Sequence, residues 1–153
     1  ETVPTPEPTP EPEPEVMEDP VEIDPLDSAD LQVVNRGLED RGYAHNVYFE
    51  FDESALTAEA RERLSGNAQV LREQGDLIIT IEGHCDERGT NEYNLALGQR
   101  RAETAKEYLV SLGVAAERLR TISYGEERPV CTESTESCWQ QNRRDHMPAT
   151  GRM

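Results

Sequence analysis

The chain lacks any run of roughly 18 or more apolar residues, so no segment has the pattern of a membrane-spanning helix. Basic residues are also scarce, since 15 Lys and Arg stand against 32 Asp and Glu and give a formal net charge of −17. This balance argues against partners such as nucleic acid or an anionic bilayer surface, which attract clustered positive charge. An initiating Met, a signal peptide and an N-terminal Cys for lipidation are missing, which is typical of a processed or trimmed form.

Lys and Arg are absent from residues 1–30, which instead contain eight of the ten prolines and eleven acidic residues. Such a stretch cannot bury enough apolar surface to offset the entropy lost on ordering, and repeated proline favours extended polyproline II. We interpret residues 1–27 as a disordered acidic, Pro-rich tether, which reaches roughly 80 Å when extended at about 3.1 Å per residue. An acidic solubilising tail is the alternative.

The rest of the chain alternates helical and strand patterns. A short helix and connector are expected over residues 28–46, with Ser28 as the helix cap, and one domain is expected over residues 47–150. The predicted strands and main helices of that domain lie, in chain order, at about 47–51, 57–74, 77–82, 92–112, 120–124 and from 143 onward. This order favours a two-layer α/β sandwich with both main helices on one face. Pro148 makes the last strand uncertain, and it is expected to stop near Met147.

A polar loop between the second strand and the second main helix carries the most informative residues. On that helix Asn94, Leu97 and Arg101 are spaced to share one face, beside a core stripe of Leu95, Ala102, Ala105, Leu109 and Leu112. Asp86 lies in the loop before the helix. An acid and a guanidinium that converge in this way suit a zwitterion, with Asp86 accepting from an ammonium and Arg101 gripping a carboxylate. An internal salt bridge between the two, without a ligand, is the alternative.

The run Gly83-His84-Cys85-Asp86-Glu87-Arg88-Gly89-Thr90, followed by Asn94, Leu97 and Arg101-Ala102, resembles the peptidoglycan-binding signature of OmpA-like C-terminal domains. The later run Ser123–Pro129 and the double arginine resemble, more narrowly, the peptidoglycan-associated lipoprotein family, Pal. The resemblance covers about residues 47–144. It implies a mixed four-stranded sheet with the fourth strand interior. It also implies that Asp86 and Arg101 hold meso-diaminopimelate of the peptidoglycan stem peptide.

The resemblance also implies partners and a location. An upstream lipidated Cys, absent from this chain, would anchor the protein to the outer membrane on its periplasmic side. A periplasmic β-propeller protein of the TolB kind would be a second partner, in a Tol-Pal system. The function expected is non-covalent tethering of the outer membrane to the cell wall. Alternatives of the same class are the wall-binding domain of an OmpA-type porin and a MotB-like stator anchor.

Four further residues match family positions that border the ligand. Asp52 and Ser54 follow the first strand, where a short polar residue contacts the stem peptide in the family, although they would equally suit a turn into the helix. Asn142 and Arg143 match an Asn-Arg pair beside the pocket. Arg143 is alternatively a surface charge paired with an acidic neighbour.

The three cysteines could form a disulfide, a metal site or a catalytic centre, and the sequence favours the disulfide. Cys131 and Cys138 lie in one loop without the second pair that a zinc site needs, so a disulfide between them is predicted, and its reduction is expected to leave ligand binding largely intact. Cys85 would be a buried, small apolar residue and His84 a structural one. Adjacent strand residues point to opposite faces, so His84, Cys85 and Asp86 do not form a catalytic or metal centre. No metal, cofactor or enzymatic activity is expected, and a peptidoglycan hydrolase is the alternative of a different class.

Overall fold

A computed structural model describes residues 23–153, so residues 1–22 of the predicted tether, which was expected over residues 1–27, lie outside the described part of the chain. The described elements are a 3₁₀ turn (Pro25–Asp27), α1 (Leu31–Asp40), β1 (Asn46–Tyr48), α2 (Ala58–Glu73), β2 (Leu77–His84), α3 (Asn91–Ser111), a second 3₁₀ turn (Ala116–Arg118), β3 (Leu119–Gly125), α4 (Glu136–Asn142), β4 (Arg144–His146) and β5 (Ala149–Arg152). None of the helices in residues 23–153 is both long and apolar enough to cross a membrane.

The sheet is mixed, as predicted, and β2 lies at its centre. Strand order is β1-β4-β2-β3, with β3 parallel to β2 and β4 antiparallel to both β1 and β2. The last strand is split in two, because Pro148 has no N–H to give to the ladder. β4 pairs with the end of β2 and β5 pairs with its beginning. The predicted single strand therefore continues beyond Met147 instead of stopping there.

Two main helices, α2 and α3, cover the sheet, as predicted. Each begins at a threonine whose hydroxyl accepts a backbone N–H, Thr57 from Ala60 and Thr90 from Tyr93, both at 3.1 Å. Their apolar stripes enter one core together with the central strand. The buried core residues of these three elements include Ala60, Leu64, Ala68, Leu71, Leu77, Ile79, Ile81, Ala102, Ala105 and Leu109. A single core shared by both helices and β2 confirms the two-layer sandwich.

Three local predictions are wrong. The first strand ends at Tyr48, because Asp52 adopts a positive φ of 58° in the turn that follows and Phe51 points out, 53% exposed. Helix α1 begins at Leu31 with Asp30 as its cap, since the Asp30 carboxylate accepts the Gln32 N–H at 2.9 Å. Leu95 is 39% exposed and lies beside Gly125 at the edge of the sheet, outside the core.

Helix α3 lies against β2 at a glycine-to-glycine contact. A Cβ added to Gly83 would lie 1.8 Å from the carbonyl oxygen of Gly98, so neither position leaves room for a side chain on that contact. This close approach brings the first half of α3, with Arg101 one turn beyond Gly98, against the end of β2.

The folded part begins earlier than the predicted boundary at residue 27. Leu26 is fully buried in the core, and its carbonyl accepts a hydrogen bond from the guanidinium of Arg152. Asp24 caps the 3₁₀ turn and forms an ion pair with Arg41. A fully buried leucine stabilises the folded domain even when its neighbours in the chain are acidic. The composition of residues 1–30 predicted disorder for the whole tether and therefore gave no sign of this one buried residue.

Leu26→Ala is expected to destabilise the domain by about 2 to 4 kcal/mol, because it leaves a cavity in the core. Ile23→Ala is the matched control, since Ile23 is 70% exposed and should change stability by less than about 0.5 kcal/mol. Urea unfolding of both variants measures the difference. If the two variants are equally stable, Leu26 does not contribute to the core and belongs to the tether.

Candidate functional site

A cavity of about 400 Å³ opens where the β1-α2 loop, the β2-α3 loop and the first half of α3 meet. Its lining residues are Phe51, Asp52, Cys85, Asp86, Arg88, Gly89, Tyr93, Asn94, Leu97 and Arg101. Five of the eight predicted binding residues line it: Asp52, Asp86, Asn94, Leu97 and Arg101. The other three, Ser54, Asn142 and Arg143, do not.

Arg101 is 1% exposed and donates hydrogen bonds to three backbone carbonyls. Its Nε–H reaches Glu53 O at 2.9 Å and its Nη2 reaches Glu50 O at 3.1 Å, both in the β1-α2 loop. Its Nη1 reaches His84 O at 3.0 Å, at the end of β2. A guanidinium has five N–H donors, so two remain for a ligand. Burial lowers the pKa of Arg101, but the guanidinium remains charged at any physiological pH.

Asp86 is also buried, at 4% exposed, and its partner is Arg88. Its Oδ1 accepts the Arg88 backbone N–H at 3.0 Å and the Nε–H at 3.1 Å, while Oδ2 accepts Nη2 at 2.8 Å. Burial alone would raise the pKa of the Asp86 carboxyl, but the hydrogen bonds from Arg88 outweigh it and lower the pKa. Among the ion pairs of residues 23–153, none joins Asp86 to Arg101. The alternative of a direct internal salt bridge is therefore not observed.

Asn94 and Leu97 both lie on the buried face of α3, but they do different things. Asn94 donates from Nδ2 to the carbonyls of Arg88 at 3.1 Å and Asp86 at 3.4 Å. It therefore fixes the loop that carries Asp86. Leu97, 4% exposed, supplies an apolar wall.

Asp52 lines the cavity from the β1-α2 loop. Its carboxylate accepts the hydroxyl of Tyr93, and its backbone is held in the left-handed region, which is uncommon outside glycine. Ser54 is half-buried and does not line the cavity. Of the two predicted residues after β1, the structure places only Asp52 at the cavity.

Asn142 and Arg143 lie behind the cavity wall. Asn142 Oδ1 accepts the backbone N–H groups of Val130 at 2.9 Å and Cys131 at 3.1 Å, so it fixes the loop between β3 and α4. Arg143 is buried and donates from Nε to Phe49 O at 2.9 Å. Its Nη1 lies 3.6 Å from Asp86 Oδ2, so it supports the carboxylate from behind. Its Nη2 also donates to Glu136 Oε1 at 2.9 Å, so the predicted pairing with an acidic neighbour is observed, but Arg143 is buried and is not a surface charge.

Arg88 is the residue that the sequence interpretation missed. Its guanidinium stacks on two rings, with its central carbon 3.9 Å from the centroid of Phe51 and 4.1 Å from that of Trp139. The spacing of Asp86 and Arg88 could have indicated this contact, since an aspartate carboxylate commonly accepts the backbone N–H two residues later, as Asp86 does from Arg88. The stacking between Phe51 and Trp139 had no local signal.

Cys131 and Cys138 form a disulfide in the structure, with Cα atoms 5.2 Å apart. Cys85 is a buried free thiol that donates to Asn94 O at 3.3 Å, and burial raises its pKa to about 11. His84 Nε2 lies 3.2 Å from Glu82 Oε1. Across the described part of the chain, no group of three His, Cys, Asp or Glu side chains is arranged to hold a metal ion.

Asp145 is a buried acid next to the site. It pairs with Gly83 across the sheet, is fully buried, and neither carboxylate oxygen has a hydrogen-bond partner among the described residues. Burial raises its pKa well above the usual range, while the charge of Arg101 opposes the shift.

The two-layer fold and this loop-helix cavity define an OmpA-type domain. The sequence profile of the OmpA family matches residues 48–143, and the chain belongs to that family. The relatives it resembles within the family are named peptidoglycan-associated lipoproteins, which confirms the resemblance found in the motif. The one from Brucella melitensis is 54% identical over 98 residues, which cover 64% of this chain and 58% of that protein. The one from Mesorhizobium japonicum is 47% identical over 128 residues, covering 78% of this chain and 76% of that protein.

A solved structure gives the same result for the fold. The crystal structure of the peptidoglycan-associated lipoprotein from Burkholderia pseudomallei superposes with a TM-score of 0.71 at 36% identity, covering 83% of this chain and all of that one. The chain spans about 58% of the length of the Brucella proteins that it matches.

Asp145→Asn is expected to stabilise the domain at neutral pH. Because the folded-state pKa is raised above the unfolded value of about 3.9, stability falls as pH rises from about 4 through the folded pKa. The variant escapes this loss, so its advantage should grow from pH 4 to pH 7. Urea unfolding at several pH values tests this. If the difference in unfolding free energy between the variant and the wild type stays constant or shrinks over that range, the pKa of Asp145 is not raised by burial.

Proposed function

We propose that this domain binds peptidoglycan non-covalently, holding the meso-diaminopimelate side chain of a stem peptide in the 400 Å³ cavity. Asp86 accepts the ammonium and Arg101 donates to the carboxylate. The observation that carries the proposal is that both groups line one cavity and are not paired with each other. Each therefore keeps hydrogen-bonding capacity, two N–H donors on Arg101 and about one of four acceptor positions on Asp86.

The charge balance of the cavity supports a zwitterion. The lining contains two acids, Asp52 and Asp86, and two bases, Arg88 and Arg101, although the chain as a whole carries −17. A net anion or cation would leave one buried charge uncompensated, which is costly in a partly desolvated site. A ligand that carries one charge of each sign leaves none.

The same geometry supports binding without catalysis. A general acid near neutral pH needs a raised pKa, whereas the pKa of Asp86 is lowered. A cysteine nucleophile needs a thiolate, whereas the pKa of Cys85 is raised to about 11. A hydrolase would have to place its reacting groups elsewhere.

The proposal extends to the cell envelope. The relatives are named lipoproteins, which supports a lipid anchor. The proposed anchor is an upstream lipidated Cys in the outer membrane, with residues 1–22 spanning the distance to the wall. A TolB-like periplasmic β-propeller is the proposed second partner. Co-purification of the full-length protein with purified TolB, with and without stem peptide, tests that partner.

Arg101→Ala and Asp86→Ala should each weaken stem-peptide binding by about 2 to 4 kcal/mol, partly because each leaves a buried charge unpaired. Arg101→Lys should also weaken it, since an ammonium cannot reproduce the planar fork or keep three carbonyls bound. Arg120→Ala is the matched control, because Arg120 is exposed on β3 and remote from the cavity. NMR titration gives the affinities, and the same spectra show whether each variant is folded. Equal affinities across folded variants would refute the assignment.

Replacing diaminopimelate by L-lysine in the peptide tests the same site from the ligand side. Lysine retains the ammonium but lacks the second carboxylate, so the Arg101 donors stay unpaired and affinity should fall by roughly tenfold or more. The loss should disappear in Arg101→Ala, which has no donors left to satisfy. Equal binding of both peptides by the wild type would contradict the proposal that Asp86 binds the ammonium while Arg101 binds the carboxylate.

A further inference from the structure

Arg88 holds Asp86 from a position that two other segments determine. Phe51 comes from the β1-α2 loop and Trp139 from α4, and the guanidinium stacks on both rings, with its central carbon 3.9 and 4.1 Å from their centroids. Stacking on an aromatic face suits a planar guanidinium and restricts it to one plane. Held by these rings, Arg88 donates to both oxygens of Asp86 and leaves about one of their four acceptor positions for a ligand.

Trp139 is itself fixed by the disulfide-closed segment. Its indole Nε1–H donates to Glu87 at 3.0 Å, and the same carboxylate oxygen accepts the Ser134 hydroxyl at 2.7 Å from inside the disulfide loop. Trp139 follows Cys138 directly in α4. The loop is closed a second time by Asn142, whose amide donates to Cys131 O at 2.7 Å.

We infer that the segment Cys131–Trp139 is a positioning element of the binding site, which acts through Arg88 to set the orientation of the Asp86 carboxylate toward the ligand's ammonium. This inference rests on the proposed function and gives the disulfide, Trp139 and Glu87 a role in ligand binding. It also changes the expectation for the disulfide, whose loss should now weaken binding even though neither cysteine of the pair lines the main cavity.

The experiment compares Trp139→Ala, Trp139→Phe and the double variant Cys131→Ser/Cys138→Ser with the wild type. Affinity for a stem peptide containing meso-diaminopimelate is measured by NMR titration, and the pKa of the Asp86 carboxyl by ¹³C NMR without ligand. Trp139→Ala should weaken binding about five- to twentyfold and raise the pKa of Asp86, since Arg88 is then free to leave it. The double serine variant should move both quantities in the same direction.

Trp139→Phe is the conservative control, because it keeps a ring over Arg88 while losing the indole donor to Glu87. It should restore most of the affinity and the low pKa of Asp86. Arg143 also faces Asp86 and Glu87 lies beside it, and both are unchanged in every variant. A general loss of folding would move the Ala and Phe variants together and would be visible in their spectra.

The outcomes separate this inference from the proposed function. If Arg101→Ala abolishes binding while Trp139→Ala matches the wild type in affinity and in the pKa of Asp86, the positioning role is wrong. The proposed contacts of Asp86 and Arg101 with the ligand are then still supported. If the wild type does not bind the peptide, the proposed function fails, and the pKa of Asp86 in Trp139→Ala still decides the positioning role. An unchanged pKa then overturns it.

Discussion

The buried guanidinium of Arg101 is the interaction on which the site depends. One side chain on α3 binds two carbonyls of the β1-α2 loop and one at the end of β2, so it fixes the relative positions of all three elements that form the cavity. Such burial is costly unless the charge is well compensated. Here three carbonyl dipoles compensate it, which leaves the formal charge available for a ligand carboxylate. The same residue therefore builds the cavity and supplies one of its two proposed ligand contacts.

The glycine contact between Gly83 and Gly98 makes that arrangement possible. Without it α3 would lie further from β2, and Arg101 would not reach the His84 carbonyl. On the other side of the cavity, Asn94 fixes the loop that bears Asp86, and Arg88 fixes the carboxylate itself. The Asp86 carboxylate and the Arg101 guanidinium are therefore each fixed by other groups and do not form a salt bridge with each other. A preorganised pair of this kind loses little entropy when a ligand binds.

Local signals explain how much was predictable from the sequence. The cap at Thr57, most of the apolar stripes of α2 and α3 and the shared face of Asn94, Leu97 and Arg101 are set by short-range spacing, and the structure reproduces them, whereas Leu95 lies outside the core. Leu26 was assigned to the tether because composition averages over many residues, whereas burial is decided residue by residue. The role of Arg88 was out of reach because it depends on Phe51 and Trp139, which only the folded chain brings together. Asn142 and Arg143 were placed near the right region, but their hydrogen bonds go to the protein's own backbone and acids.

The central claim is that a zwitterion is held between Asp86 and Arg101, and a structure of the complex tests it most directly. Intermolecular NOEs or a crystal structure with a diaminopimelate-containing stem peptide would locate both ends of the ligand side chain. The account predicts the ammonium within hydrogen-bond distance of an Asp86 oxygen and the carboxylate within that distance of the Arg101 guanidinium. A ligand bound in the smaller neighbouring cavity lined by Glu87, Glu126 and Asn142, or one bound with its ends reversed, would contradict it.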